Sequence, residues 1–193
     1  MQDPIEDITA CRRALRREMV ARRAALGEVE HGRLSAAIVA CARAALPVPR
    51  VAAFCWPVKH EPDVRALLAA WSPAGTTAAL PVVVDAGAPL AFRAWTLETP
   101  LVADRYGIPT PASGEFVTPD LILLPLNGFD GAGYRLGYGG GYFDRTLAAL
   151  RPRPLAVGVG FEINRLASID PQAHDQRLDW IVTEAGAFRV SAG

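Results

Sequence analysis

The feature that most constrains this chain is an apolar run that ends in a glycine-rich turn and restarts as a helix. LILLPL (121–126) carries no polar side chain, the pattern of a strand buried on both faces of a parallel sheet. GYRLGYGGGYFDR (133–145) follows, with five glycines in thirteen residues, and a helix is expected from about Tyr142 to Leu150. Glycine weakens regular structure because it loses the most backbone freedom on folding. A chain that places so many together needs its backbone where a Cβ could not go.

The remaining segments fit the same architecture. Apolar spacing predicts helices over about Glu6–Leu26 and Glu28–Leu46, the second stopped by Pro47 and Pro49. A strand is expected at 51–56, a loop PVKHEPD, a short helix at 63–71, and strands at 76–84 and 88–95 joined by an Asp-Ala-Gly turn. The proline-punctuated stretch 107–120 reads as an ordered surface connection, and 155–161 and 180–184 as late strands. Strands alternating with helices imply a layered α/β domain. Residues 1–193 read as one domain, with the helical segment 1–46 packing on the α/β core.

Charge and cysteine usage exclude several classes. Twenty basic residues balance twenty acidic ones, so a nucleic-acid surface is not expected. Cys11, Cys41 and Cys55 form no CxxC pair and read as reduced thiols, small hydrophobes in the interior. No apolar run reaches the roughly 20 residues that span a bilayer, and MQDPIEDITA is too polar for a signal peptide. The expectation is a soluble, cytoplasmic monomer.

The order strand, glycine loop, helix has a chemical meaning. A helix N-terminus offers unpaired N–H groups and partial positive charge, and glycines let an anion approach them. Neither standard template fits: GxGxxG begun at Gly137 would need glycine where Tyr142 stands, and no Walker lysine is present. Arg135 could present a planar fork to phosphate oxygens. Asp144, in the first turn of the helix, could simply complement the helix dipole. Beside phosphates it would repel them unless a divalent cation such as Mg2+ lay between. Phosphate binding and a tight structural turn both remain open on these residues alone.

LILLPLNGFDGAGYRLGYGGGYFDRTL resembles the signature of the 5-formyltetrahydrofolate cyclo-ligase family: an apolar strand ending in Pro, a Phe-Asp, then Gly-x-Arg-Leu-Gly-x-Gly-x-Gly-Tyr-Tyr-Asp. The early arginine helix, the Glu loop and the late HDQRLD stand in the family's order, so the resemblance covers essentially the whole chain. It implies a three-layer α/β/α fold with a mostly parallel sheet, related to the ribose-5-phosphate isomerase and CoA-transferase class. It also implies an enzyme that uses ATP and Mg2+ to cyclise 5-formyltetrahydrofolate to 5,10-methenyltetrahydrofolate, through phosphorylation of the formyl oxygen.

The implied site residues follow position by position. Arg135, Leu136, Gly137, Tyr138, Gly139, Gly140, Gly141, Tyr142 and Phe143 would wrap the ATP phosphates, with Tyr138 to Tyr142 bordering the folate as well. Arg135 and Tyr142 would be catalytic, and Asp144 and Asp175 would hold the metal. Glu61 and Trp56 match substrate-contact positions; a carboxylate can accept paired N–H donors from a pterin edge. Arg12 and Arg16 match a nucleotide-contact pair, Arg12 standing where lysine is usual. Phe143 replaces the usual second tyrosine, and Asn127-Gly128 replaces small apolar residues before Phe129. Arg13, Arg17, Arg22 and Arg23 read as a solvated face of the first helix, and His174 as a structural or surface residue. Two rival functions are a non-catalytic folate or nucleotide binder and an ATP-dependent enzyme on another formylated pterin-like compound.

Overall fold

The apolar run at 121–126 does become a strand buried on both faces, and the rest of the fold is arranged around it. The structure is a computed structural model that describes residues 4–191. Helices α1 (Pro4–Ala24) and α2 (Glu28–Ala45) open the chain, followed by β1 (Val51–Ala53) and α3 (Ala66–Trp71). Then come β2 (Thr77–Val82), β3 (Ala91–Ala94), β4 (Leu101–Ala103) and β5 (Pro109–Pro111). The signature region supplies β6 (Leu121–Pro125), β7 (Gly128–Phe129), β8 (Arg135–Leu136) and α4 (Tyr142–Ala149). The chain closes with β9 (Leu155–Val159), β10 (Trp180–Thr183) and β11 (Gly186–Arg189).

Seven strands form one sheet in the order β11-β10-β9-β6-β1-β2-β3. The five central strands are parallel, and β3 and β11 add antiparallel edges. Alternation along β6 shows why three layers result. Leu121 and Leu123 join Leu34, Ile38 and Ala42 of α2 and Leu67 and Trp71 of α3 in one core. Ile122 and Leu124 join Leu147 of α4, with Phe92 and Phe129, in the other. Each such side chain buried contributes roughly 1.5–3 kcal/mol. The expected α/β/α architecture is therefore the observed one.

The site is positioned by what happens beyond the carboxyl ends of the parallel strands, where open α/β sheets bind ligands. After β6 the chain makes the small β7–β8 ladder, and after β9 a short 3-10 turn, Glu162–Asn164. α1 packs against both, lying across the ends of β6 and β9. Its Met19 is fully buried there.

Some expectations are corrected. The stretch 107–120 is not purely a connection: Pro109–Pro111 pairs with Leu101–Ala103 as a two-stranded hairpin. Three-residue strands bounded by proline carry no readable period, and β7, β8 and β11 are equally short or edge-exposed. The third helix starts at Ala66 rather than Asp63, whose carboxylate instead accepts the Arg65 backbone N–H at 3.0 Å. Among the cysteines only Cys41 and Cys55 are even half-buried, while Cys11 is exposed on α1. No helix among the described residues is long and apolar enough to cross a membrane.

Candidate functional site

The glycine loop is held open by its own ends. Asp130, of the Phe-Asp pair, is buried and braces the turn before it: Oδ1 accepts the N–H groups of Ala132 (3.1 Å) and Tyr134 (3.0 Å), and Oδ2 that of Ile169 (3.2 Å). The loop then leaves β8 and reaches α4 through Gly139 (φ 94) and Gly141 (φ 64), left-handed positions that exclude most side chains. Gly141 is the N-cap of α4, and no side chain among the described residues caps that end. The first turn of α4 thus offers N–H groups to an incoming acceptor. Arg16 donates from Nε to the Gly137 carbonyl at 2.8 Å, tying α1 to the loop. Burial, and next the Arg12 charge, lower the Arg16 pKa from its ordinary value.

Charges far apart in sequence converge at this end. Arg135 is buried, and its Nη1 donates to Asp144 Oδ1 at 3.0 Å and to the Gln176 carbonyl at 3.4 Å. The same Asp144 oxygen accepts the Gln176 N–H at 3.0 Å. One residue earlier, Asp175 pairs with Arg12 at 3.0 Å and accepts the Gln172 N–H at 2.8 Å. Arg12, Arg16, Arg135, Asp144 and Asp175 therefore lie together, and the residues expected to serve phosphate and metal pair with each other. His174 is exposed at the surface.

The two aspartates reach one short turn, the segment 175–176, and supply hard oxygen donors. That chemistry fits magnesium, which takes one or two carboxylates and completes its shell with substrate phosphates and water. No cluster of three or more His, Cys, Asp or Glu residues that could hold a metal occurs among the described residues.

The other end of the loop meets Glu61. Its carboxylate is buried, with Oε2 accepting the Val58 N–H at 3.0 Å and Oε1 accepting the Tyr138 hydroxyl at 2.5 Å. Burial raises the Glu61 pKa, while the Tyr138 hydroxyl, the Val58 N–H, Arg23 and Lys59 oppose the rise. The Tyr138 phenol is also pushed up, by burial and then by the Glu61 charge. Glu61 is aimed by a turn in which Lys59 (φ 50) and His60 (φ 60) are both left-handed and the Glu61 N–H returns to the Val58 carbonyl at 3.0 Å. Such a turn costs about 1–2 kcal/mol per residue, so the surrounding structure must hold it. Part of that support is Arg23.

Arg23 is 1% exposed, which overturns its reading as a solvated residue. Its Nη2 donates to the Lys59 carbonyl and to the Tyr138 hydroxyl, both at 3.1 Å, and its Nη1 to Asn127 Oδ1 at 2.8 Å. One guanidinium therefore links α1, the Glu61 turn, the end of β6 and the glycine loop. Asn127, noted in the sequence only as a departure, supplies its acceptor. A basic residue in the last turn of a helix gives no hint of this burial; the polar Asn127 after an apolar strand was the available signal.

Trp56 and Tyr142 stand at the margins. Ring partners of the half-buried Trp56 are Trp95, edge-on at 6.2 Å, and the Arg65 guanidinium at 4.4 Å. Trp95 and Arg65 in turn line the wide groove of about 980 Å³ between α3 and the segment 94–99. Tyr142 shares a hydrogen bond of 2.7 Å with the hydroxyl of Tyr106, at the tip of the β4–β5 hairpin. Beside Glu61 itself the cavity is small, about 10 Å³.

Comparison with known proteins gives one consistent result. A model of the 5-formyltetrahydrofolate cyclo-ligase family matches residues 8–184. The chain is 32% identical over 139 residues to a 5-formyltetrahydrofolate cyclo-ligase of Mycolicibacterium smegmatis, covering 66% of this chain and 70% of that relative. It is similar to the NMR structure of Aquifex aeolicus 5,10-methenyltetrahydrofolate synthetase, with TM-score 0.80, 29% identity and 94% of both chains covered. A 5,10-methenyltetrahydrofolate synthetase from Mycoplasma pneumoniae shares the fold, with TM-score 0.72, 24% identity, and 90% of this chain and 98% of that one covered.

Proposed function

The chain belongs to the 5-formyltetrahydrofolate cyclo-ligase family, and from that premise we propose that it converts 5-formyltetrahydrofolate and ATP into 5,10-methenyltetrahydrofolate, ADP and phosphate. One observation carries the reading: a single glycine loop reaches a buried carboxylate at Tyr138 and an arginine–aspartate cluster at Arg135 and Asp144. A loop of that kind can hold a phosphate chain and a pterin at once.

The chemistry explains why both are needed. A formamide carbon is a poor electrophile and its oxygen a poor leaving group. When the formyl oxygen takes the γ-phosphoryl group, ADP leaves and that oxygen becomes part of a phosphate ester. N10 then attacks the carbon, its proton is lost, and phosphate departs with the former formyl oxygen. Phosphoryl transfer depends mainly on positioning and charge stabilisation.

The residues divide this work. The amides of Leu136 to Phe143 and the guanidinium groups of Arg12 and Arg16 hold the phosphates. Arg135 exchanges part of its bond with Asp144 for the transferring group's charge, and Tyr142 borders both reactants. Glu61 accepts N–H donors of the pterin, and Trp56 walls the ring system at its margin. Asp144 and Asp175 would hold a magnesium ion, which offsets phosphate charge when bound. We read the helices at 1–46 as part of the same catalytic unit, acting as a cytoplasmic monomer.

The test uses purified protein, ATP, magnesium and 5-formyltetrahydrofolate, with formation of the methenyl chromophore as readout. Growth of that absorbance only when ATP is present is expected. Its absence with folded protein in saturating magnesium overturns the proposal.

A further inference from the structure

Glu61 already has donors on both carboxylate oxygens, from the Val58 N–H (3.0 Å) and the Tyr138 hydroxyl (2.5 Å). The adjoining cavity of about 10 Å³ has room for about one water. A fused ring bearing paired N–H donors needs a lone pair on each oxygen facing the same side, and the Val58 N–H and the Tyr138 hydroxyl now hold one on each. The two residents differ in mobility. Val58 donates from the main chain of the tight 58–61 turn, whereas Tyr138 donates from a side chain on the glycine loop and its residue is 40% exposed.

We propose that the Tyr138 hydroxyl is an internal occupant of the ligand position on Glu61, which the pterin N–H donors of the folate displace, and that its departure releases the glycine loop to close on the nucleotide. The inference rests on the folate reading of Glu61. Its physical basis is that the exchange leaves few groups stranded. Arg23 keeps its bonds to Asn127 and the Lys59 carbonyl, and the freed hydroxyl can turn to water. The Glu61 charge passes from one hydrogen-bond donor to another without being left bare in the interior.

The consequence is coupling between two substrates that need not touch the same atoms. Tyr138 lies between Gly137, whose carbonyl holds Arg16, and Gly139, whose left-handed backbone sets the loop's bend. While Tyr138 is held at Glu61, the loop is tied at its centre. By linkage, whatever factor the folate contributes to nucleotide affinity, the nucleotide returns to the folate.

The experiment measures equilibrium binding of 5-formyltetrahydrofolate, with and without a non-hydrolysable ATP analogue, to the wild type and to Tyr138→Phe. The variant keeps the ring and loses only the competing hydroxyl. Wild-type protein should bind the folate, and more tightly with the analogue. Tyr138→Phe should bind it about tenfold more tightly without nucleotide, with the analogue's added effect reduced toward none. Equal or weaker folate binding by the variant, or an undiminished nucleotide effect, overturns the inference while leaving the folate reading intact. Failure of the wild type to bind any folate removes both, and that result appears before the variant is made.

Discussion

The two ends of the glycine loop solve opposite electrostatic problems. At the α4 end, Arg12, Arg16 and Arg135 face Asp144 and Asp175, so one positive charge is in excess among groups that pair with each other. At the Glu61 end, a carboxylate sits in the interior and is neutralised by a hydroxyl, an amide and the fully buried Arg23. The first arrangement is suited to exchange: each aspartate can give up an arginine when phosphates and a cation arrive. The second is suited to precision, because a buried charge tolerates little misplacement of its donors. Function is therefore expected to be more sensitive at the first end and folding at the second.

Breaking the second end gives the largest stability effect. Arg23→Met strands acceptors on Lys59 and Asn127 and removes a charge facing Glu61, and should cost about 3–5 kcal/mol in urea unfolding. Arg13→Met on the exposed face of the same helix should stay within about 0.5 kcal/mol. Equal effects would mean that Arg23 is not the hub of the network. At the first end the ranking reverses. Asp144→Asn keeps an acceptor for Arg135 but loses the carboxylate, so magnesium-dependent turnover should fall about 100-fold, near 2.7 kcal/mol. The thermal midpoint should move by only a few degrees. A variant with wild-type turnover would remove Asp144 from the metal's binding set.

This contrast also marks what could be read in advance. The three-layer fold was legible because Leu121 to Leu124 show unbroken burial and the flanking helices carry clear apolar faces. The α4 end was legible because its glycines, Arg135 and Asp144 lie within one contiguous motif. At the Glu61 end only Glu61 and Tyr138 were legible, through the family resemblance, and the network that joins them was not. Arg23, Lys59, Asn127 and Tyr138 come from four separate segments, and no local pattern shows that a helix-terminal arginine will be buried under three loops. The left-handed Lys59-His60 turn was hidden for the same reason: neither residue is a turn former, and tertiary contacts impose the conformation.

A smaller effect sharpens the α4 end. Among the described residues Arg12 Nε is buried without a hydrogen-bond partner, while Nη2 holds Asp175. An orphaned buried donor is costly, and here it sits beside the loop that would carry phosphates. Arg12→Lys removes that donor and keeps the charge. Stability should be unchanged or slightly higher, while the KM for ATP rises about three- to tenfold, because lysine keeps the charge but loses one directed N–H. Unchanged KM would place phosphate recognition on Arg16 and the loop amides alone.

The smallest effect has the most informative sign. Burial raises the Glu61 pKa above its ordinary 4.5, so the folded protein binds this proton more tightly than the unfolded chain. Stability contributed by the protonated form is complete below pH 4.5 and is lost as pH climbs through the raised value. Glu61→Gln keeps one acceptor, for the Val58 N–H, turns its amide N–H toward the Tyr138 oxygen, and has no charge to desolvate. It should therefore be slightly more stable than the wild type at pH 7–8, with the difference vanishing in acid, while its folate affinity falls. A stability curve with the opposite slope would mean that Tyr138, Val58, Arg23 and Lys59 together outweigh burial. Glu61 would then be a net stabilising ion, and the two ends of the loop would no longer differ in kind.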